Sequence, residues 1–217
     1  LVEHKGGRQA IRVKSVIDAT GDADVCAFAG EDTAVFEQGN KLAAWYYGLG
    51  KAGHELHMLG FADVVDENGN YIDKEQFDVG RFSGLDGFET SRMLTLAHEQ
   101  ILKNVLKRRE TDASYVPVNA PTIPQFRMTR RLAGAFELDN RQVHTRFDDS
   151  VGMIGDWRKR GPVYELPFRT LYGNKVKNLL CAGRCISVTD TMWDITRVIP
   201  VCAQTGEAAG TAAAMGT

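Results

Sequence analysis

The sequence predicts an α/β protein, and three observations carry that prediction. An apolar strand pattern at residues 16–19 leads into a glycine turn and a short helical pattern. Residues 89–110 repeat apolar side chains at helical spacing. A second apolar strand pattern at residues 176–182 precedes a helical pattern that runs from Pro200 to about Met215. Strands that lead into helices at both ends of the chain are typical of an α/β fold.

Composition indicates a globular domain and excludes several classes of partner. The 217 residues are 43% apolar and 25% charged, which is ordinary for a folded chain that holds one large domain or two small ones. The formal net charge of -2 argues against a dedicated nucleic-acid surface, because such surfaces carry a clear basic excess. No apolar run approaches the length of about 18 residues that a membrane span needs, so no membrane partner is expected.

Four cysteines, at positions 26, 181, 185 and 202, do not form the paired knuckles of a structural zinc site, and no metal is expected. Reduced thiols in a cytoplasmic protein are the favoured interpretation. The alternative is a redox pair formed by Cys181 and Cys185, which are separated by three residues.

The amino-terminal segment predicts a β-hairpin and the edge of a strand–turn–helix unit. Two strand patterns flank the turn from Lys5 to Arg8, and the second is expected to continue through Asp18. Gly21 then permits a tight turn, and Asp22 is expected to cap a short helix at residues 25–29.

The central part of the chain predicts strands followed by one long scaffold helix. Strand candidates are Trp45 to Tyr47 and residues 61–65, with a hairpin turn at residues 67–70 where Asn-Gly suits positive φ. The helix at residues 89–110 is assigned no chemistry, and no histidine is assigned a role.

Residues 125–138 predict a strand with an arginine on its apolar face. Strict alternation places Arg130 on the same side as Phe126, Met128 and Leu132. A buried arginine is costly without a partner, so it requires a carboxylate, a cofactor or a substrate anion. Both a structural salt bridge and a substrate-facing role remain open.

One segment matches a dinucleotide-binding pattern by spacing alone. Gly48 to Gly53 reads G-x-G-x-x-G, but that loop requires a preceding parallel strand and a helix that begins at the third glycine. The residues that follow continue as a strand pattern, so a glycine-rich hairpin or bend is favoured. The rival interpretation is an NAD-dependent dehydrogenase that uses this loop.

The final helical pattern carries a stripe of small residues, Gly206, Ala209, Gly210 and Ala213. A smooth stripe lets a helix lie close to a sheet or to a flat ligand, and the amino end of a helix favours negative charge. These features fit either tight helix–sheet packing or a bound cofactor such as a reduced flavin.

Several segments, in their order along the chain, resemble one family. They are Val16 to Asp24, Thr129 to Gly134, Leu166 to Leu171, Asn178 to Ser187, and Arg197 to Pro200 with Thr205 to Ala214. Together they resemble FAD-dependent oxidoreductases of the glutathione-reductase-like fold, over residues 1–30 and about 121–217. The resemblance implies a partial three-layer, Rossmann-like FAD-binding domain from residues 1–30 and 165–217. An inserted substrate or cap domain with an antiparallel sheet is expected at 31–164.

The resemblance also implies roles for particular residues. Hydride would pass between a small, anionic substrate and the flavin of FAD. Residues expected near the cofactor are Thr20, Gly21 and Asp22 on the adenosine or pyrophosphate side, Gly183 and Arg184 on the ribityl side, and Gly206, Glu207 and Ala208 beside the flavin ring. Arg130 and Arg197 are the catalytic candidates for an anionic substrate or for reduced-flavin charge, with internal ion pairing as the alternative.

The family's amino-terminal unit with the glycine-rich phosphate loop has no counterpart before Leu1. We therefore expect a fragment, a truncated product or one part of a split protein, which alone binds FAD weakly or not at all. A missing segment, another chain or a homo-oligomer is expected to cover the exposed sheet. A non-catalytic binding or assembly module that kept the fold without flavin is the rival class.

Overall fold

The computed structural model describes residues 1–60, 64–65, 71–72 and 77–216. The chain divides into two compact units, Leu1–Ala34 with Arg130–Thr217, and Val35–Thr129. The second unit is an insertion within the first. The sequence-based boundaries put the insertion at 31–164, whereas the structural insertion ends at Thr129. Its role as a substrate or cap domain stays a prediction.

The described residues form fifteen strands and four α-helices. The strands are β1 (Val2–His4), β2 (Gly7–Gln9), β3 (Val16–Asp18), β4 (Thr33–Val35), β5 (Asn40–Lys41), β6 (Ala44–Gly50), β7 (Gly53–Leu59), β8 (Val64–Val65), β9 (Tyr71–Ile72), β10 (Arg81–Phe82), β11 (Val116–Asn119), β12 (Arg130–Leu132), β13 (Ser150–Gly155), β14 (Val163–Pro167) and β15 (Leu179–Cys181). The helices are α1 (Asp24–Ala29), α2 (Gly87–Arg109), α3 (Asp190–Thr196) and α4 (Ile199–Met215), with 3-10 turns at Asn140–Gln142, Phe168–Thr170 and Gly183–Cys185.

The first unit is organised around two parallel strands. β3 pairs with β15 so that Asp18 lies opposite Cys181, which brings the turns after both strands to the same edge. Antiparallel pairs β1–β2 and β13–β14 and the pair β4–β12 complete its strands. Its buried apolar cluster consists of Ala23, Cys26, Leu132, Leu179, Cys181 and Cys185.

The amino-terminal hairpin is confirmed in part, because β2 ends at Gln9 and residues 10–15 are not strand. The expected helix after Gly21 is present as α1. However, the prediction that Asp22 caps it is wrong. The cap position is Ala23, in the left-handed region at φ 50°. The N–H groups of the first helical turn are instead accepted by Thr20, from Asp24 at 3.1 Å, and by Asp18, from Cys26 at 2.8 Å.

The second unit is an antiparallel sheet with one long helix. β6 pairs with β7 through a tight turn, and β11 adds to the other edge of β6. The core residues that α2 contributes are Met93, Ala97, Ile101 and Val105, which repeat at helical spacing. Asp86 caps α2, since its side chain accepts the backbone N–H of Glu89 at 2.8 Å. Residues 67–70 lie outside the described residues, so the expected turn there stays a prediction.

Both long helices follow the sequence-based prediction closely. Residues 125–138 do not, because only Arg130–Leu132 is strand. The alternation that placed Arg130 on the buried face is therefore wrong. Arg131 is the buried arginine, at 7% exposure, and Arg130 is only partly buried.

Candidate functional site

The turn after β3 is built around the buried carboxylate of Asp18. One of its oxygens accepts the backbone N–H of Thr20 at 3.0 Å and the Thr20 hydroxyl at 2.7 Å. The other accepts the backbone N–H of Cys26 at 2.8 Å. Burial raises the pKa of Asp18, but the hydrogen bonds from Cys26 and Thr20 outweigh burial and hold this pKa below its ordinary value. Sequence reasoning missed Asp18, although an acid that ends an apolar strand was a usable signal.

Arg184 joins the two turns that follow the parallel strands. Its Nε donates to the Gly21 carbonyl at 2.8 Å, and its Nη2 donates to the Asp22 carboxylate at 2.8 Å. Gly21 has φ +83°, and a Cβ there would stand 3.0 Å from the Arg184 Cζ. The positive φ therefore favours glycine at position 21, and a Cβ there would also require the Arg184 side chain to shift by a few tenths of an ångström. Thus the structure brings Gly21, Asp22 and Arg184 together.

Arg130 reaches the same turn from β12. Its Nε donates to the Asp22 carbonyl at 3.0 Å, and its guanidinium pairs with Asp24. Asp22 therefore receives one arginine on its carboxylate and another on its carbonyl. Of the two catalytic candidates, Arg130 is the one that lies at this turn.

Gly183 ties the second turn to α4. Its backbone N–H donates to the Thr205 hydroxyl at 3.0 Å, and its φ of +84° lies in the region that favours glycine. The indole N–H of Trp193 donates to the Arg184 carbonyl. The turn at 183–184 is thus held by α3 and by α4.

The small-residue stripe of α4 is divided between two faces. Ala209 is buried with Val201 and Thr205, whereas a Cβ at Gly206 or Gly210 would meet no atom within 4 Å. The stripe therefore does not pack as a whole against the sheet, and its glycines face open space.

Two adjacent grooves lie along α4 within the first unit. The larger encloses about 660 Å³ and is lined by Val151, Phe168, Gln204, Glu207, Ala208, Thr211, Ala212 and Met215. The smaller encloses about 400 Å³ and shares Phe168 and Ala212 with it. Both volumes fall in the range of ligand sites. Glu207 and Ala208, two of the predicted cofactor contacts, therefore line a groove of suitable size.

Arg197 is held by a carboxylate of its own. Its Nε donates to Asp194 at 3.0 Å, and Arg158 lies 3.8 Å from the other oxygen of the same carboxylate. This is the internal ion pairing that the sequence left open as an alternative.

Arg131 was missed by sequence reasoning and is the most enclosed of these arginines. Its Nε donates to the Val188 carbonyl, its Nη2 lies 3.1 Å from Glu137 and 3.4 Å from Asp190, and its guanidinium lies 5.2 Å from the Trp193 ring centroid. Arg131 therefore stabilises the position of the segment that contains Val188 and Trp193.

The expectation that Gly48 to Gly53 forms a hairpin is confirmed. Gly50 pairs with Gly53 at the turn between the antiparallel strands β6 and β7, and β7 continues from Gly53 to Leu59. Neither the parallel strand nor the helix that a dinucleotide loop needs is present at this position.

The parallel strands β3 and β15, each followed by a positive-φ glycine turn, lie in the same unit as the helices α1 and α4, which is an α/β arrangement. A family model described as FAD dependent oxidoreductase matches residues 63–217, well over half of the chain. The chain belongs to this family. No curated protein and no solved structure matches it. Among the described residues, no helix is long and apolar enough to cross a membrane.

Proposed function

We propose that this chain takes part in hydride transfer between FAD and a small, anionic substrate, with its first unit contacting the flavin cofactor. Membership of the family supports a flavin oxidoreductase role for the intact protein. The observation that carries the residue assignment is the bridge from Arg184 to Gly21 and Asp22. That bridge joins two turns which lie far apart in sequence and which the resemblance assigns to the same cofactor.

The proposed contacts follow the order of these turns. Thr20, Gly21 and Asp22 lie on the adenosine or pyrophosphate side, and Gly183 and Arg184 on the ribityl side. Gly206, Glu207 and Ala208 flank the ring. When bound, the flavin supplies the hydride acceptor or donor, while the chain's own residues orient it and exclude water.

The side chains and backbone of α4 suit a flat, electron-accepting ring. Gly206 leaves open space beside the helix, and the neighbouring groove of about 660 Å³ is lined by apolar side chains together with Gln204, Glu207 and Thr211. No side chain caps the amino end of α4, so its first N–H groups favour negative charge. We expect weaker contacts to the pyrophosphate of FAD, because the G-x-G-x-x-G segment of this chain lies in a hairpin.

Arginine is the proposed contact for the anionic substrate. Arg130 is only partly buried, with 18% of its side chain exposed, and it already lies at the Asp22 turn. Arg197 lies just before α4, although Asp194 holds its guanidinium. A substrate carboxylate would compete with Asp24 or Asp194 for these planar donors.

A non-catalytic binding or assembly module is the second candidate. It is favoured by one specific observation, which is that Arg130, Arg184 and Arg197 all have carboxylate partners within the chain. A yellow protein after purification would argue against this candidate.

We also propose that a further strand covers β3. Within the described residues β3 pairs with β15, and the side chain of Ile17 is 37% exposed. An open, apolar strand edge favours pairing with another segment or another copy of the chain.

The proposal is tested by titrating the chain with FAD and following flavin fluorescence. Because the G-x-G-x-x-G segment at Gly48 to Gly53 lies in a hairpin, we expect saturable binding with Kd above about 1 µM. Arg184→Lys should weaken binding by about tenfold, since an ammonium cannot bond to the Gly21 carbonyl and the Asp22 carboxylate in one plane.

Arg169→Lys is the matched control. Arg169 forms a similar half-exposed pair with Asp149, with bonds of 2.9 and 3.1 Å, and it makes no contact with Gly21 or Asp22. Equal affinities for the two variants, or no saturable binding by the wild type, would contradict the proposed cofactor site.

A further inference from the structure

The four cysteines of the chain gather around the turn at 183–184. Cys181 ends β15, Cys185 ends the 3-10 turn Gly183–Cys185, Cys26 lies on α1, and Cys202 lies in the first turn of α4. All four are free thiols. Cys181 and Cys185 are both fully buried, and their sulfurs lie 3.3 Å apart. A disulfide bond is about 2.05 Å long, so a shift of little more than an ångström joins these two atoms.

The two sulfurs differ in their surroundings. The Cys181 thiol donates to the sulfur and to the carbonyl of Cys185, the latter at 3.1 Å. The bond from Cys181 lowers the pKa of Cys185 and outweighs burial, with help from the backbone N–H groups of Ala23 and Gly21. Both donors of that backbone pair have positive φ, 50° and 83°, which belongs to the tight turn after β3. Cys185 is therefore the better nucleophile of the pair.

We propose that Cys181 and Cys185 form a peroxide-reactive dithiol that closes to an internal disulfide. The Cys185 thiolate attacks one oxygen of hydrogen peroxide, so that an S–O bond forms, the O–O bond breaks, and the leaving oxygen departs as water after protonation. The Cys181 sulfur then attacks the Cys185 sulfur. An S–S bond forms, the S–O bond breaks, and the second water leaves with the proton of Cys181. Two thiols and one peroxide thus yield one disulfide and two waters, with two electrons passing from sulfur to oxygen.

Burial of both sulfurs favours a small oxidant. Neither cysteine has exposed surface, so any oxidant enters through a local opening of the turn, and uncharged hydrogen peroxide needs a much smaller opening than a bulky charged disulfide such as oxidised glutathione. Cys202 is only partly buried and is the one thiol of the four with access to larger reagents. Among the described residues, no group of three or more His, Cys, Asp and Glu side chains is suited to hold a metal ion.

Closure of this disulfide acts on the turn that carries Arg184. Gly183 and Arg184 lie inside the loop that the bond would close, and Arg184 holds Gly21 and Asp22. The oxidation state of the thiols is thereby coupled to the geometry of these two turns. This inference does not depend on the proposed flavin contacts, because the dithiol is defined by its sulfurs alone.

Tryptic cleavage distinguishes the two states of the folded chain directly. Arg184 separates the cysteines, so the reduced protein gives two peptides, 178–184 and 185–197, and the disulfide joins them into one species. After treatment with hydrogen peroxide, and alkylation of the remaining thiols, we expect the joined species as the main product. It should persist in the double variant Cys26→Ala, Cys202→Ala and disappear in Cys185→Ala and in Cys181→Ala.

Three outcomes overturn the proposal. They are recovery of both peptides as alkylated thiols after peroxide treatment, linkage of either cysteine to Cys26 or Cys202 instead, and joining that occurs only after the chain has been unfolded in urea. Circular dichroism of each variant before oxidation establishes that the folded protein was tested. The double variant Cys26→Ala, Cys202→Ala keeps both Cys181 and Cys185, so the joined peptides can still be detected even if a single variant does not fold.

Discussion

Replacement of Arg131 by methionine should destabilise the first unit more than the same replacement at Arg130. The two arginines are adjacent, and methionine preserves much of the side-chain volume at both positions. Their partners differ sharply. Arg131 is 7% exposed and donates to the carbonyl of Val188, a residue with no exposed surface. Arg130 is less buried, and its partner Asp24 is 42% exposed.

The magnitude follows from the groups left without partners. An unsatisfied buried carbonyl at Val188 costs about 1–3 kcal/mol, and the lost cation–π contact with Trp193 costs about 0.5–2 kcal/mol. The pairs with Glu137 and Asp190 add little, because both carboxylates are half-exposed. Arg131→Met should therefore lower the free energy of unfolding by about 2–4 kcal/mol. Arg130→Met loses one carbonyl bond and an exposed pair, which is about 1 kcal/mol.

Unfolding is measured by urea titration and followed by hydrogen exchange of peptides from residues 179–196. The unfolding midpoint is thereby assigned to the first unit. Those residues include β15 and α3, and Trp193 on α3 contacts the Arg131 guanidinium. A midpoint for Arg130→Met at or below that of Arg131→Met, with unchanged slopes, would refute the reasoning.

Two further perturbations test the turn after β3. Gly21→Ala should lower the free energy of unfolding by about 1–3 kcal/mol, because φ is +83° and the new Cβ would crowd Arg184. Gly210→Ala, in a helix and facing open space, should raise it by about 0.5–1 kcal/mol. Thermal melts that rank the two variants the other way would contradict this. Asp18 has a folded pKa below its unfolded value near 3.9, so its contribution is present above about pH 4 and is lost as pH falls through the folded pKa. Asp18→Asn should therefore destabilise the chain at neutral pH, and the gap to wild type should narrow below about pH 4; a gap of constant size across that range would contradict it.

The parts of the fold that the sequence predicted well are long and periodic. α2 was expected at 89–110 and spans Gly87–Arg109, because four buried side chains repeat at helical spacing over several turns. α4 was expected from Pro200 and begins one residue earlier, since proline suits the first turn of a helix. The Gly48 to Gly53 segment was correctly excluded as a cofactor loop, because strand patterns on both sides of it indicate a hairpin.

Short elements were predicted less well, for a physical reason. Alternation identifies a buried face only where a strand is long enough to hold one orientation, and β12 has three residues. Its orientation is fixed instead by tertiary partners, since Trp193 and the Val188 carbonyl draw Arg131 inward. The misassigned cap has a similar cause. Asp22 has the residue type of a helix cap, but its carboxylate bonds to Arg184, more than 150 residues further along the chain.

The candidate site could be located from sequence, but its contacts could not. Two apolar strands that each end in a glycine turn mark the site in the sequence, and the parallel pairing of Asp18 with Cys181 puts both turns at one edge. What joins them is decided by side chains whose partners are distant in sequence. Arg184, which is expected to contact the cofactor, bonds across the gap between the turns. A ligand that binds there must therefore either displace Asp22 from Arg184 or pack against the intact Arg184–Asp22 ion pair. The roughly tenfold loss of affinity expected for Arg184→Lys corresponds to a ligand that packs against the intact pair, whereas a gain in affinity would indicate a ligand that displaces Asp22 from Arg184.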